Sequence, residues 1–362
     1  MFAGCSSRKH DPGLQIDTIM RAYNGGAPGA SVLVVRYGMP VFRRSYGLAD
    51  VEQGVAATPK TNYRLASMTK QFTAAAILLL AEDGRLSLAD PVRKWLPTLP
   101  DAASGITLRH LLTHTSGLID YEDLIPDGTT AQVQDADVLH LLEAENRTYF
   151  TPGSSYRYSN SGYSLLAVVV GRASGTDFAS FLRDRIFEPL QMHTTVAYEE
   201  GKSTVAKRAF GYSFVDGHWE RTDQSLTSAV LGDGGIYSSI DDLAKWDAAL
   251  YDNRLLRPES LRLAFTPATT TDDPAVQYGF GWRITGETLW HSGETMGFRN
   301  VIVRYPKRRF TVIVLTNRDD PEPYPMALAI AKIFEPTANA THAASSAVGP
   351  DSGARPLPGS RP

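Results

Sequence analysis

Ser67-Met68-Thr69-Lys70 sets a serine and a lysine three residues apart, so on a helical turn both side chains leave from one side. A serine hydroxyl is a weak nucleophile until a base takes its proton, and a lysine amine is that base when burial or cationic neighbours loosen its own proton. The positive end of the helix dipole would then lie beneath the charge forming on an attacked carbonyl oxygen. Ser6-Ser7-Arg8-Lys9 repeats the spacing, but in a polar stretch without helical pattern, whereas Ser67 opens an apolar one. Tyr158-Ser159-Asn160 precedes a second apolar helical run. There a phenol can shuttle protons, and an amide can orient a substrate carbonyl or the lysine. Tyr251-Asp252-Asn253 matches the same spacing but trails off a predicted helix. His291-Ser292-Gly293 ends a strand-like run: Gly293 would let a substrate backbone lie along the strand, and the Glu294 amide would join that of Ser67 in holding an oxyanion. Taken singly, each motif has a plain structural alternative, a helix N-cap for Ser67 and for Asn160.

Elements that could position these residues follow from patterning. Residues 30–37 and 40–47 are β-rich runs joined by Gly38-Met39, a hairpin signal. From Ser67 a helix is predicted, with Phe72, Ala76, Leu79 and Leu80 on one face and Asp83-Gly84 closing it. Helical patterns recur over 107–112, 137–145, 161–173, 177–187 and 241–250. Strand character returns over 278–285, 288–291, 298–305 and 310–316, with Pro306-Lys307-Arg308-Arg309 as a hairpin turn. Short links between strands imply antiparallel pairing. The expected fold is α+β: an antiparallel sheet built from both ends of the chain, flanked by the Ser67 helix and a last helix over about 325–334, with a mostly helical domain inserted. The expected division is a tether over 1–14, a catalytic unit over 15–336 and a disordered tail over 337–362. Within the catalytic unit the sheet part covers about 15–87 and 276–336, and the helical part about 88–275.

Composition narrows the classes of function. Lys plus Arg number 36 against 39 Asp plus Glu, a net charge of −3, which is no footing for coating nucleic acid. The longest strictly apolar run, Ala74 to Ala81, is far below the roughly 18 residues of a membrane helix. A single cysteine, Cys5, forbids an intramolecular disulfide and a thiolate metal cluster. His110 and His114 are four apart, a metal-ligand spacing, but no His-Glu-x-x-His and no third carboxylate accompany them. No Gly-x-Ser-x-Gly, phosphate loop or dinucleotide fingerprint occurs, so no metal and no organic cofactor is expected.

The three motifs in this order resemble the serine β-lactamase and penicillin-binding-protein superfamily. Leu65 to Phe72, Leu111-Leu112-Thr113-His114-Thr115-Ser116-Gly117-Leu118, Tyr158 to Tyr163, and Gly234-Gly235-Ile236-Tyr237-Ser238 before Asp241-Asp242-Leu243 are similar to one branch of it. That branch holds class C β-lactamases, D-alanyl-D-alanine carboxypeptidases and β-lactamase-like esterases. Over residues 15 to 335 the resemblance implies that Ser67 attacks and is acylated while Lys70 and Tyr158 exchange its proton. It also implies that Asn160 contacts the substrate amide, and that the Ser67 and Glu294 amides form the oxyanion hole. The branch usually carries Lys-Thr-Gly at the third motif. Here His291 replaces that lysine and, partly charged near neutrality, would attract a carboxylate less strongly. Arg299 is a substitute carboxylate anchor or a plain strand residue. Esterase or peptidase action therefore ranks above β-lactam hydrolysis, with a weak β-lactamase or a non-turnover penicillin-binding sensor as alternatives. The expected partner is a small ester or short D-amino-acid peptide.

Met1-Phe2-Ala3-Gly4-Cys5-Ser6-Ser7 resembles the tail of a bacterial lipoprotein signal lacking its charged and apolar start. Two readings stand: a longer precursor whose Cys5 carries a lipid anchor in the periplasm or cell envelope, or a cysteine without that role.

Overall fold

The structure, a computed structural model, describes residues 11–335. Cys5 and the segment 337–362 lie outside those residues. Eight antiparallel strands form the central sheet. They are β1 (Ala30–Arg36), β2 (Met39–Tyr46), β3 (Thr269–Thr270), β4 (Gln277–Tyr278), β5 (Arg283–Thr285), β6 (Thr288–Thr295), β7 (Phe298–Tyr305) and β8 (Phe310–Thr316). Their spatial order is β3-β4-β5-β6-β7-β8-β1-β2, so the N-terminal hairpin docks on the last strand with Ala30 opposite Thr316 and Arg36 opposite Phe310. The sheet expected from both ends of the chain is thus present.

Successive side chains of a strand point to opposite faces, and both faces of this sheet are covered. Val32 and Val34 enter a core with Val301, Val303, Val312 and Val314, roofed by helix α1 (Pro12–Ile19) and the last helix. Leu33 and Val35 enter the larger core on the other face, shared with helix α2 (Lys70–Glu82). Residues 70–80 of α2 are all buried, because the helix lies between the sheet and the helical region. Helix α3 (Asn160–Ser174) packs against α2, its first turn capped by the Ser159 hydroxyl at 3.1 Å from the Gly162 amide. Helix α4 (Pro323–Ile333) closes the valine face.

Patterning misplaced three features. Helix α1 starts at Pro12, inside the segment read as a tether, because the Asp11 side chain caps it and Pro12 suits a first helical turn. The expected strand 278–285 breaks between β4 and β5, where Gly281 at φ +74° turns the chain against α2. A Cβ on Gly281 would stand 2.7 Å from the Lys70 carbonyl oxygen. Ser67 itself lies in a tight 3₁₀ turn, Ala66–Thr69, that precedes α2 rather than in the α-helix. Among the described residues no single helix is long and apolar enough to cross a membrane.

Candidate active site

The turn carrying Ser67 is held from two sides. Asn300 on β7 donates to the Arg64 carbonyl at 2.7 Å, and the Leu65 amide donates to the Ile236 carbonyl at 2.8 Å. Between these supports Ala66 adopts φ +50°, a conformation strained for a residue with a Cβ, which tightens the bend just before the serine. β6 crosses the same turn so closely that a Cβ on Gly293 would fall 1.8 Å from the Leu65 carbonyl oxygen. The missing side chain of Gly293 therefore admits the nucleophile's own turn. Gly293→Ala is expected to displace the turn and lower kcat about 100-fold, since misplacement near 1 Å costs that much. Steady-state kinetics beside circular dichroism checks this; an alanine variant with unchanged kcat would refute it.

The strand register also settles where the Glu294 amide points. Thr295 and Phe298 close a two-residue turn as a bonded pair, and bonded and unbonded pairs alternate in an antiparallel ladder. Glu294, opposite Arg299, is in an unbonded pair, so its N–H faces away from β7 and is free of that ladder. An oxyanion role for the Ser67 and Glu294 amides fits this direction.

Lys70 is wholly buried, and its Nζ donates to Ser67 Oγ at 3.0 Å, Asn160 Oδ1 at 2.8 Å and the Asp233 carbonyl at 3.0 Å. The Asn160 amide is fixed at its other end, where Nδ2 donates to Glu122 Oε1 at 3.0 Å. A carboxylate only accepts, so Glu122 forces the amide oxygen towards Lys70. Two of the three positions around Nζ are then pure acceptors, and a neutral amine must spend its two N–H bonds on them. Its lone pair is left for the Ser67 hydroxyl. Asn160 is thus held by the lysine and Glu122, which between them use its oxygen and one of its two N–H groups.

Tyr158 lays its ring over Lys70, with the centroid 4.9 Å from Nζ, and Tyr163 adds a second ring at 5.6 Å. Aromatic faces attract an ammonium. Among the described residues the Tyr158 hydroxyl bonds neither Ser67 nor Lys70, so the direct partner of the serine is the lysine. Behind Tyr158 stands His114, with ring centroids 4.3 Å apart, whose Nδ1 accepts from the Ser159 amide at 3.0 Å. Burial, helped by the Lys70 charge, pushes His114 well below the usual histidine range. The helix carrying His110 ends at Leu112, so His110 and His114 do not share a helical face. His110 Nδ1 instead accepts from the Thr107 amide at 3.3 Å.

The third motif departs furthest from expectation. His291 is 1 % exposed; its Nδ1–H donates to the Ser292 carbonyl at 2.6 Å and its Nε2 accepts from the Tyr278 hydroxyl at 2.9 Å. Burial and then the Arg283 charge drive it well below the ordinary histidine range, so it is neutral at pH 7 and offers a carboxylate no charge. Arg299 is no anchor either: it donates to the Thr295 and Phe298 carbonyls at 2.9 and 3.0 Å and pairs with Glu294 at 2.8 Å, strapping the hairpin. Ser292 is half-buried on β6.

Sequence reasoning passed over Arg283. This half-buried residue on β5 lies 5.4 Å from the ring centres of both Tyr158 and Trp290. Its Nε is buried without a hydrogen-bond partner and, unlike Arg299 and Arg304, no carboxylate among the described residues matches it. The signal was its place one strand from the His291 motif, visible only once β5 pairs with β6.

Residues 16–333 match the family model described as Beta-lactamase. The chain is 33 % identical over 317 residues to penicillin-binding protein 4* of Bacillus subtilis (strain 168), covering 82 % of this chain and 70 % of that protein. It is 30 % identical over 325 residues to protein flp of Staphylococcus aureus (strain MW2), where 85 % of this chain spans 64 % of the relative's length. The crystal structure of a penicillin binding protein from Bacillus halodurans superposes with a TM-score of 0.77 at 29 % identity, covering 88 % of this chain and 99 % of that one.

Proposed function

This chain belongs to the Beta-lactamase family, and from that premise we propose that it is a serine hydrolase whose Ser67 is acylated by an ester or amide and then freed by water. Ser67 Oγ attacks the carbonyl carbon as its proton passes to Lys70 Nζ, and the Ser67 and Glu294 amides receive the oxyanion. The bond to the leaving group breaks, and the proton returns from Lys70, with Tyr158 alongside, to the departing alkoxide or amine. A water then repeats the sequence on the acyl-enzyme. The observation that carries this reading is the Lys70 amine, enclosed by two fixed acceptors so that its third direction meets Ser67 Oγ at 3.0 Å.

Small carboxylic esters and D-amino-acid peptides of cell-wall type are the proposed substrates, the second placing the enzyme outside the cytoplasmic membrane. Arg283 supports the peptide class, because an unmatched guanidinium beside Tyr158 suits a carboxylate on the leaving side. A thioester whose leaving thiol carries a free carboxylate should exceed its methylated twin by about tenfold in kcat/KM, and Arg283→Gln should erase the difference. Equal turnover of the pair by the unaltered protein would favour plain esterase action. A penicillin adduct on Ser67 that persists in the intact mass, without thioester turnover, would instead mark a penicillin-binding sensor.

A further inference from the structure

We propose that Asp233 is a positioning residue for Lys70: its carbonyl fixes where the amine points, and its enclosed carboxyl governs how readily the amine gives up its proton. The inference rests on the acyl-serine reading above and adds a residue that none of the three motifs contains.

Asp233 belongs to the short helical turn Leu231–Gly234, which is pinned from two directions. Asp135 accepts from the Leu231 and Gly232 amides at 2.9 and 3.0 Å, and the Thr73 hydroxyl of α2 donates to the Gly232 carbonyl at 2.7 Å. So held, the Asp233 carbonyl can serve as a fixed acceptor for Lys70. The carboxyl of the same residue is enclosed and receives the Tyr121 hydroxyl at 3.2 Å. Besides the bonded Tyr121, the charges that act on it are Lys70 from α2, whose amine reaches the carbonyl of the same residue, Asp135 from the helix Asp135–Glu143, and Glu122 from the turn Tyr121–Leu124. Lys70 is the one cation among them.

Burial raises the Asp233 carboxyl to about 7; the Lys70 charge opposes this, and Asp135 and Glu122 reinforce it. The carboxyl therefore changes charge near neutrality. As a carboxylate it attracts the Lys70 proton and keeps the amine from serving Ser67. Once protonated it exerts no such pull, and an attraction between two sites acts equally on both.

The test is the pH profile of kcat/KM for a p-nitrophenyl acyl ester, with Ser67→Ala as the control for Ser67-dependent turnover. Asp233→Asn keeps the shape and the acceptor for Tyr121 but removes the charge. Its acid limb is expected to move about one unit to lower pH, with KM changed less than about twofold. Tyr121→Phe strips the carboxylate of its donor, so the charged form exists over a narrower range and the limb moves the same way by less. Profiles of both variants that coincide with the unaltered protein would overturn the role of Asp233. So would uniform loss at every pH with an unmoved limb, the mark of a merely structural residue. Should Asp233→Asn fail to fold, Tyr121→Phe decides alone. Turnover that survives Ser67→Ala would overturn the hydrolase reading itself and this inference with it.

Discussion

Ser67→Ala is expected to lower p-nitrophenyl ester turnover by about 10⁴-fold or more and to abolish any acyl or penicillin adduct in the intact mass. The size follows from the mechanism: without Oγ no covalent intermediate forms, and a bound ester meets only oriented amides and water. The fold should survive, because Ser67 Oγ contributes one hydrogen bond to a turn already held by Asn300 and Ile236. Lys70 keeps its two other acceptors, so no buried group loses its last partner. The measurement pairs p-nitrophenol release with thermal melting. A variant that melts like the original and still turns over would place the nucleophile elsewhere.

Legibility of this protein in its sequence tracks the range of the interactions involved. β7, β8 and the Pro306 turn were readable to the residue, because alternation and a proline-led turn are local properties. Ser67 and Lys70 were readable for the same reason, being one turn apart. The partners of Lys70 were less so: Asp233 is 163 residues away in sequence, and Glu122 is separated by 38 residues from the Asn160 it orients. Nothing in Leu231-Gly232-Asp233-Gly234 marks the aspartate as anything but a turn residue until the turn is seen against α2.

Misreadings at the third motif came from judging side chains by type. A histidine in place of a lysine suggests a weaker positive charge, but charge depends on surroundings, and His291 is sealed between Tyr278 and its own strand. Arg299 advertised a free cation yet is consumed by the hairpin it sits on. Gly293 gives the space a side chain would fill to Leu65, a close approach that no local pattern shows. The residue that does offer an unmatched charge, Arg283, lies on a neighbouring strand whose register no local pattern encodes.

Lys70→Ala carries the second large expectation, a fall of about 10³-fold or more in kcat with KM changed little, because the amine acts on the proton in flight and not on the bound ground state. Ester attack in this variant would rely on water to accept the Ser67 proton. The substitution also leaves Asn160 Oδ1 and the Asp233 carbonyl facing a space the size of the lost side chain, and removes a positive charge that opposes the burial of the Asp233 carboxyl. That carboxyl should then be held neutral more firmly. Small primary alkylamines added in solution can enter such a space, and their free-base form should restore part of kcat, rising with pH as the added amine loses its proton. Rescue that follows the amine's own ionisation would identify the base. If Lys70→Ala keeps more than about a tenth of kcat without added amine, the proton leaves Ser67 by another route, and Tyr158 becomes the residue to substitute next.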